Sequence, residues 1–227
     1  MANIFTSSIG KKLIMSISGL FLVLFLFIHA FVNCLSLISP EAFGAGCDFM
    51  ALPIVTVMVP VLAFGFIIHI IYAFVLNLMN YRARGTERYA VSNKAKTDDW
   101  AAKNMLVLGI IVLGFLIFHL THFWAKMQLP EFIGGEAENG PMLLYKTFQP
   151  LWMVIVYIIW FVAVWFHINH GFWSAFQTLG LNNKIWMKRW KVIGIIVSTI
   201  LFLAFAAVAI NAHIVGNDPV NSFFLSL

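Results

Sequence analysis

Five long apolar runs alternate with short polar segments along the chain. They lie near 13–34, 53–79, 104–125, 151–177 and 192–213. Each reaches the roughly 20 residues that a helix needs to cross about 30 Å of hydrocarbon. Backbone groups in hydrocarbon must pair within their own segment, so each run is predicted as helix rather than strand. Pro60 falls in the first turns of the second run, where a kink is tolerable. The expected fold is an all-α integral membrane protein, with five transmembrane helices bundled into one membrane domain over 1–227.

The polar segments between the runs differ in charge, and the difference orients the bundle. The segment "YRARGTERYAVSNKAKTDDWAAK" carries Arg82, Arg84, Arg88, Lys94, Lys96 and Lys103, and "NNKIWMKRWK" carries Lys184, Lys188, Arg189 and Lys191. Lys11 and Lys12 precede the first run. The alternate loops hold only Lys126 and Lys146, with Glu41, Asp48, Glu131, Glu136, Glu138 and Asp218. Positive charge gathers on the cytoplasmic side of membrane proteins, so the N-terminus is expected inside and the C-terminus outside. Gly44, Gly46, Gly134, Gly135 and Gly140-Pro141 mark the outer loops as turns.

Composition agrees with this picture. Hydrophobic residues make up 62% and charged residues 10%, with mean hydropathy +0.92, whereas a soluble domain is nearer half apolar and a quarter charged. The sequence pI near 9.3 follows from the topological lysines and arginines, so no nucleic-acid partner is expected. Cys34 and Cys47 are the two cysteines. Without CxxC or CxxCH they exclude c-type haem attachment, zinc ribbons and cysteine-ligated clusters within this chain. They read as two unpaired thiols, with a disulfide as the alternative. Lys11 and Lys12 before an apolar run resemble a signal peptide, but Leu13–Val32 is longer than an h-region and no A-x-A site follows. The run is expected to remain as the first span.

Histidines bring in chemistry. Four of the five runs carry one well inside: His29, His69, His119 with His122, and His167 with His170, while His213 ends the fifth. Helices one and three run outward, and His29 and His119 each lie about 15 residues in, roughly 22–24 Å from the inner end. Helices two and four run inward, and His69 and His167 each lie about 16 residues along, roughly 24 Å down. The four therefore fall into two layers, His29 with His119 and His69 with His167. Imidazole is a common axial ligand of haem iron, and two at one depth on different helices can grip one iron from both faces. The second ring N–H then needs only a carbonyl or hydroxyl. Gly65 and Gly171, one turn from His69 and His167, are expected to leave room for a porphyrin. His122 and His170 lie about 60° around their helices from His119 and His167, and read as satisfied polar residues. Trp100, Trp124, Trp186 and Trp190 fit the interfacial belt. Ser16 and Ser18 either cap backbone or touch a haem propionate, and capping is the preferred reading. A haem-free reading also exists, in which the histidines form a proton relay or a transport path. It lacks the buried acids that such relays usually include.

The residues also carry a family likeness. "SSIGKKLIMSISGLFLVLFLFIHAFVN" with Lys12, Ser18-Gly19 and His29, "GFIIHIIYAFVL" around His69, "FLIFHLTHFW" around His119 and "WFHINHGFWSAFQTLG" around His167 occur in order over nearly the whole chain. In this the chain resembles the membrane-anchor cytochrome b subunit of succinate dehydrogenase and fumarate reductase, the single-chain di-haem type. The resemblance implies two haem b groups, with His29 and His119 on the outer iron and His69 and His167 on the inner. It implies an anchor for a cytoplasmic iron–sulfur subunit and a flavoprotein subunit that interconverts succinate and fumarate. Electrons would pass between the clusters, the haems and a quinone, usually menaquinone, in a bacterial inner membrane. The chain would thus be a subunit of a succinate:quinone oxidoreductase that does not itself bind succinate. Where some relatives have a glutamate two residues before the fourth ligand, this chain has Trp165. The likeness also places the quinone near the outer haem beside an acidic residue, for which Glu41 and Asp48 are the candidates. The runner-up in the same class is the cytochrome b anchor of a hydrogenase or formate dehydrogenase.

Overall fold

The computed structural model describes residues 7–84 and 100–218; they form an all-helical fold joined by short turns, with no strand among the described residues. In chain order the helices are α1 (Ser8–Cys34), α2 (Pro40–Met50), α3 (Pro53–Thr56), α4 (Met58–Arg84), α5 (Trp100–Lys103), α6 (Met105–His119), α7 (Ala125–Ile133), α8 (Gly140–Phe148), α9 (Leu151–Thr178) and α10 (Trp186–Gly216). A 3-10 turn, Leu35–Leu37, follows α1, and a π turn, Leu120–Trp124, joins α6 to α7. Five helical stretches are long and apolar enough to cross a membrane: Ser8–Leu37, Pro53–Ala83, Met105–Ile133, Leu151–Thr178 and Trp186–Gly216. Each contains or closely overlaps one of the five runs. Arg88, Lys94 and Lys96 lie outside the described residues.

Local chemistry sets the helix ends. Ser7 accepts the Gly10 N–H at 3.0 Å and starts α1. Ser39 accepts from Ala42 N–H, and Asn139 from Met142 N–H, both at 3.1 Å, ahead of Pro40 and Pro141 in the first turns of α2 and α8. Such caps satisfy donors that a helix start otherwise leaves orphaned. Pro60 has no N–H for the Thr56 carbonyl, which places the break between α3 and α4 at Val57.

Two loop expectations are corrected here. Gly44 and Gly46 lie within α2 rather than in a turn, and Gly140-Pro141 opens α8. Only Gly134 of that set is in the left-handed region, at φ 74° after α7. Glycine in α2 and α8 serves close approach instead. A Cβ on Gly140 would sit 2.6 Å from Cys47 Sγ, and one on Gly46 2.8 Å from Leu35 Cδ1. The two short helices cross over one end of the bundle, burying Phe43, Leu143, Leu144, Tyr145 and Phe148 beneath them. That end is called the capped face below. The other, where α1, α6 and α10 begin, is the open face.

Helix α10 packs along α9 and α8, and also touches α1. Its buried stripe is mostly small, with Gly194, Ser198, Ala206, Ala209, Ala212 and Gly216, and it also contains Leu201 and Val208. Association of helices in lipid depends on such close backbone approach. A Cβ on Gly194 would lie 3.1 Å from the Asn169 carbonyl, and one on Gly216 2.9 Å from that of Tyr145. The remaining four long helices form a square. Helix α1 packs on α4 and α9, α6 packs on α9 and, more lightly, on α4. The pairings α1 with α6 and α4 with α9 are its diagonals.

Candidate functional site

Each diagonal is bridged by imidazoles. His29 of α1 meets His119 of α6 with ring centroids 5.8 Å apart and planes at 87°. His69 of α4 meets His167 of α9 at 6.2 Å and 70°. These are the pairs that the depth argument joined. The layers are well separated. His69 lies against Ser18 and Gly19, and His29 comes ten residues later on the same helix, about 15 Å at 1.5 Å per residue.

The separation within each pair has a chemical meaning. An imidazole nitrogen binds a first-row metal ion at about 2.0 Å, and the ring centre lies about 1.1 Å further, so two imidazoles on opposite sides of one ion have centroids roughly 6 Å apart. Both pairs sit at that distance. Among the described residues, no third His, Cys or carboxylate joins either pair to make a three-donor group. Two facing imidazoles are what an iron already held in a porphyrin needs from protein.

Unpaired polar atoms and small residues surround the pairs. Nδ1 of His119 and of His167, the outer ring nitrogen when Nε2 binds a metal, is buried with no hydrogen-bond partner among the described residues. A buried polar atom left unpaired costs about 1–3 kcal/mol. The hydroxyl of Tyr157 and the indole N–H of Trp160 share this condition, and both rings border His119, at 6.2 and 5.6 Å. Small residues face the lower pair from the other two helices. A Cβ on Gly19 would lie 3.2 Å from His69 Cε1, and one on Gly109 3.8 Å from His167 Cε1. Gly171, like Gly114, has nothing within 4 Å of its Cβ position. Gly65 departs from expectation. The ring of Phe21 fills its face, 2.7 Å from a Cβ there. The aliphatic and aromatic surroundings, including Phe25 stacked on His29 at 5.4 Å and Phe205 at 5.7 Å, exclude water from the upper pair.

The other histidines have local partners. His122 lies in the π turn, and its Nδ1 is 2.8 Å from the Phe118 carbonyl, which also accepts the Thr121 hydroxyl at 2.7 Å. His170 packs edge-on against Trp173 at 4.7 Å. His213 lies 3.1 Å from the Phe148 carbonyl beneath α8. Trp165 donates to Thr199 of α10 at 3.0 Å, which ties its indole to the fifth span. Cys34 and Cys47 are both free thiols.

Glu41 and Asp48 both lie exposed on α2, above the capped face. The Glu41 carboxyl is held below the ordinary range by its own backbone N–H and then by the Ser39 hydroxyl. Burial, with the charge of Asp48 second, pushes the Cys47 thiol up to about 11. Burial likewise raises the Tyr145 phenol, with Glu41 as the neighbouring charge. Both carboxylates thus have local electrostatic roles at the cap. Sequence reasoning singled out the Ser18-Gly19 pair but not its contact with His69, and it missed Gly109, Tyr157 and Trp160. Comparison of the chain with known protein families, with curated proteins and with solved structures finds no match.

Proposed function

We propose that the chain is a di-haem cytochrome b, the membrane subunit that anchors the iron–sulfur and flavoprotein subunits of a succinate dehydrogenase or fumarate reductase. The observation that supports this reading is the meeting of imidazoles across both diagonals of a four-helix square, each at the separation of a bis-histidine iron. The sequence likeness over nearly the whole chain supplies the choice of complex. His69 and His167 would hold the haem nearer the open face, and His29 and His119 the one nearer the cap. When bound, the two haems supply reversible one-electron oxidation and reduction at iron. The chain's own residues fix the ligand rings, exclude water with aromatic side chains, and keep the two centres in separate layers.

In this reading the open face is cytoplasmic and basic, set in a bacterial inner membrane, and receives the iron–sulfur subunit. Quinone, usually menaquinone in such complexes, exchanges electrons near the capped layer, with Glu41 or Asp48 as its acidic neighbour. Trp165 stands where the resembled family has, in some members, a glutamate linked to proton movement, so no proton route through that position is proposed.

The test is a dithionite-reduced minus oxidised visible spectrum of the purified chain or complex, with haem counted per polypeptide. Two b-type haems per chain are expected. No haem after expression with ample haem supply overturns the reading and favours the histidine relay or a bare anchor. A co-purifying flavoprotein with covalent flavin identifies the succinate or fumarate complex, whereas a nickel or molybdenum enzyme identifies a hydrogenase or formate dehydrogenase anchor.

A further inference from the structure

The two imidazole pairs are held by different neighbours, and the difference lies at Ser18. This side chain is buried in α1, 7% exposed. Its hydroxyl has one hydrogen, which it donates to the Met15 carbonyl at 3.0 Å. Nδ1 of His69 lies 3.4 Å from the same oxygen, and the Met15 carbonyl is a second acceptor beside this ring. Gly19, the next residue, allows this approach, because any Cβ there would press on His69 Cε1 at 3.2 Å. We infer that Ser18 is a positioning residue for His69, accepting its Nδ1–H and so fixing the neutral ring with Nε2 free to bind iron.

The direction of each hydrogen bond fixes the tautomer. A neutral imidazole has one N–H and one lone pair, and the partner of one nitrogen decides which is which. A serine that bonds back to the carbonyl three residues earlier has no hydrogen left to give. Toward His69 it can only accept. Nδ1 must then carry the proton, and the lone pair belongs to Nε2. The bond does more than orient. An acceptor on the outer N–H makes the ligating nitrogen more basic, which favours the oxidised, more highly charged iron. The pair nearer the cap has no equivalent. Nδ1 of His119 has no partner among the described residues, and the Asn33 amide nitrogen approaches His29 at Nε2, 3.5 Å away, rather than at its outer Nδ1. Ser18, together with the Met15 carbonyl that it engages, therefore distinguishes the two sites.

The redox part of this inference rests on the proposed function, but the tautomer part does not. The experiment uses the full chain in detergent, labelled with ¹⁵N-histidine and expressed without haem, with the His69 resonances assigned from a His69→Gln variant. The expected result is the Nδ1–H tautomer for His69, a mixed or reversed tautomer in Ser18→Ala, and recovery in Ser18→Thr. An Nε2–H ring in the unaltered chain overturns the inference, with no variant needed. In the haem-loaded protein, Ser18→Ala should keep two haems and raise one of the two midpoint potentials. The expected size is about threefold in the reduced-to-oxidised ratio, or about 28 mV at 59 mV per decade, and Ser18→Thr should restore the original value. If haem binds and neither potential moves, the inference fails while the cytochrome reading stands. If no haem binds, the cytochrome reading fails, and the tautomer alone decides the role of Ser18.

Discussion

Replacing the four layer histidines by alanine, singly and in pairs, tests whether the rings act as two independent couples. His29 and His119 meet at 5.8 Å and His69 and His167 at 6.2 Å, while the layers are about 15 Å apart along α1. Sites further apart than about 7–10 Å without shared partners behave independently, whereas partners in one contact do not. Each single variant should lose one bis-histidine haem from two. His69→Ala with His167→Ala should lose no more than either alone, because both remove the same centre. His29→Ala with His69→Ala should lose both. The assay counts low-spin b-type haem per chain from the reduced-minus-oxidised spectrum, alongside a pyridine haemochrome for total haem. Two low-spin haems retained in His69→Ala would refute ligation by that residue. One haem remaining in the His29→Ala, His69→Ala double variant would refute the assignment of these residues to separate centres.

Three further outcomes follow from neighbouring contacts. His122→Ala should keep both haems, since its ring packs on Phe118 at 4.2 Å while the imidazoles that meet across the diagonals are His29 with His119 and His69 with His167, and loss of one haem in the same spectrum would make it a ligand. Gly140→Ala places a Cβ 2.6 Å from Cys47 Sγ and 3.0 Å from Met127 Cε, so thermal unfolding in detergent should show a loss of about 1–3 kcal/mol, partly relieved by adding Cys47→Ala. Cys47, with its thiol pushed up to about 11, is a thiolate in only about 0.1% of molecules at pH 8. Alkylation should therefore be slow at pH 8 and accelerate about tenfold per pH unit up to that value, and Asp48→Asn should quicken it at pH 8 by removing a charge that favours the protonated form.

The parts of this molecule that were legible in sequence are those governed by one regular geometry. Helical rise is constant, so counting from the ends of apolar runs places His29 level with His119 and His69 level with His167. The parts that were not legible depend on contacts between distant segments. Residues 40–50 contain two glycines and read as a turn, yet Ser39 caps a helix there and Phe43 is buried against the same core as Leu144 and Phe148. Gly65 looked like space for a cofactor because its helix alone was considered, and the ring that fills it belongs to α1. The π turn at Leu120–Trp124 has no mark in its composition. It is accompanied by the double use of the Phe118 carbonyl by Thr121 and His122, and such turns occur often at functional sites.

The crossed diagonals bear on how the chain is made. Along the sequence the two couples interleave, the first span pairing with the third and the second with the fourth. No hairpin of neighbouring spans contains a complete couple. During synthesis, the couple nearer the cap can close only after the third span has entered the bilayer, and the other only after the fourth. Biogenesis therefore has a fixed order, and a chain stopped in the loop after Ile133 would hold the means to assemble one site and half of the second.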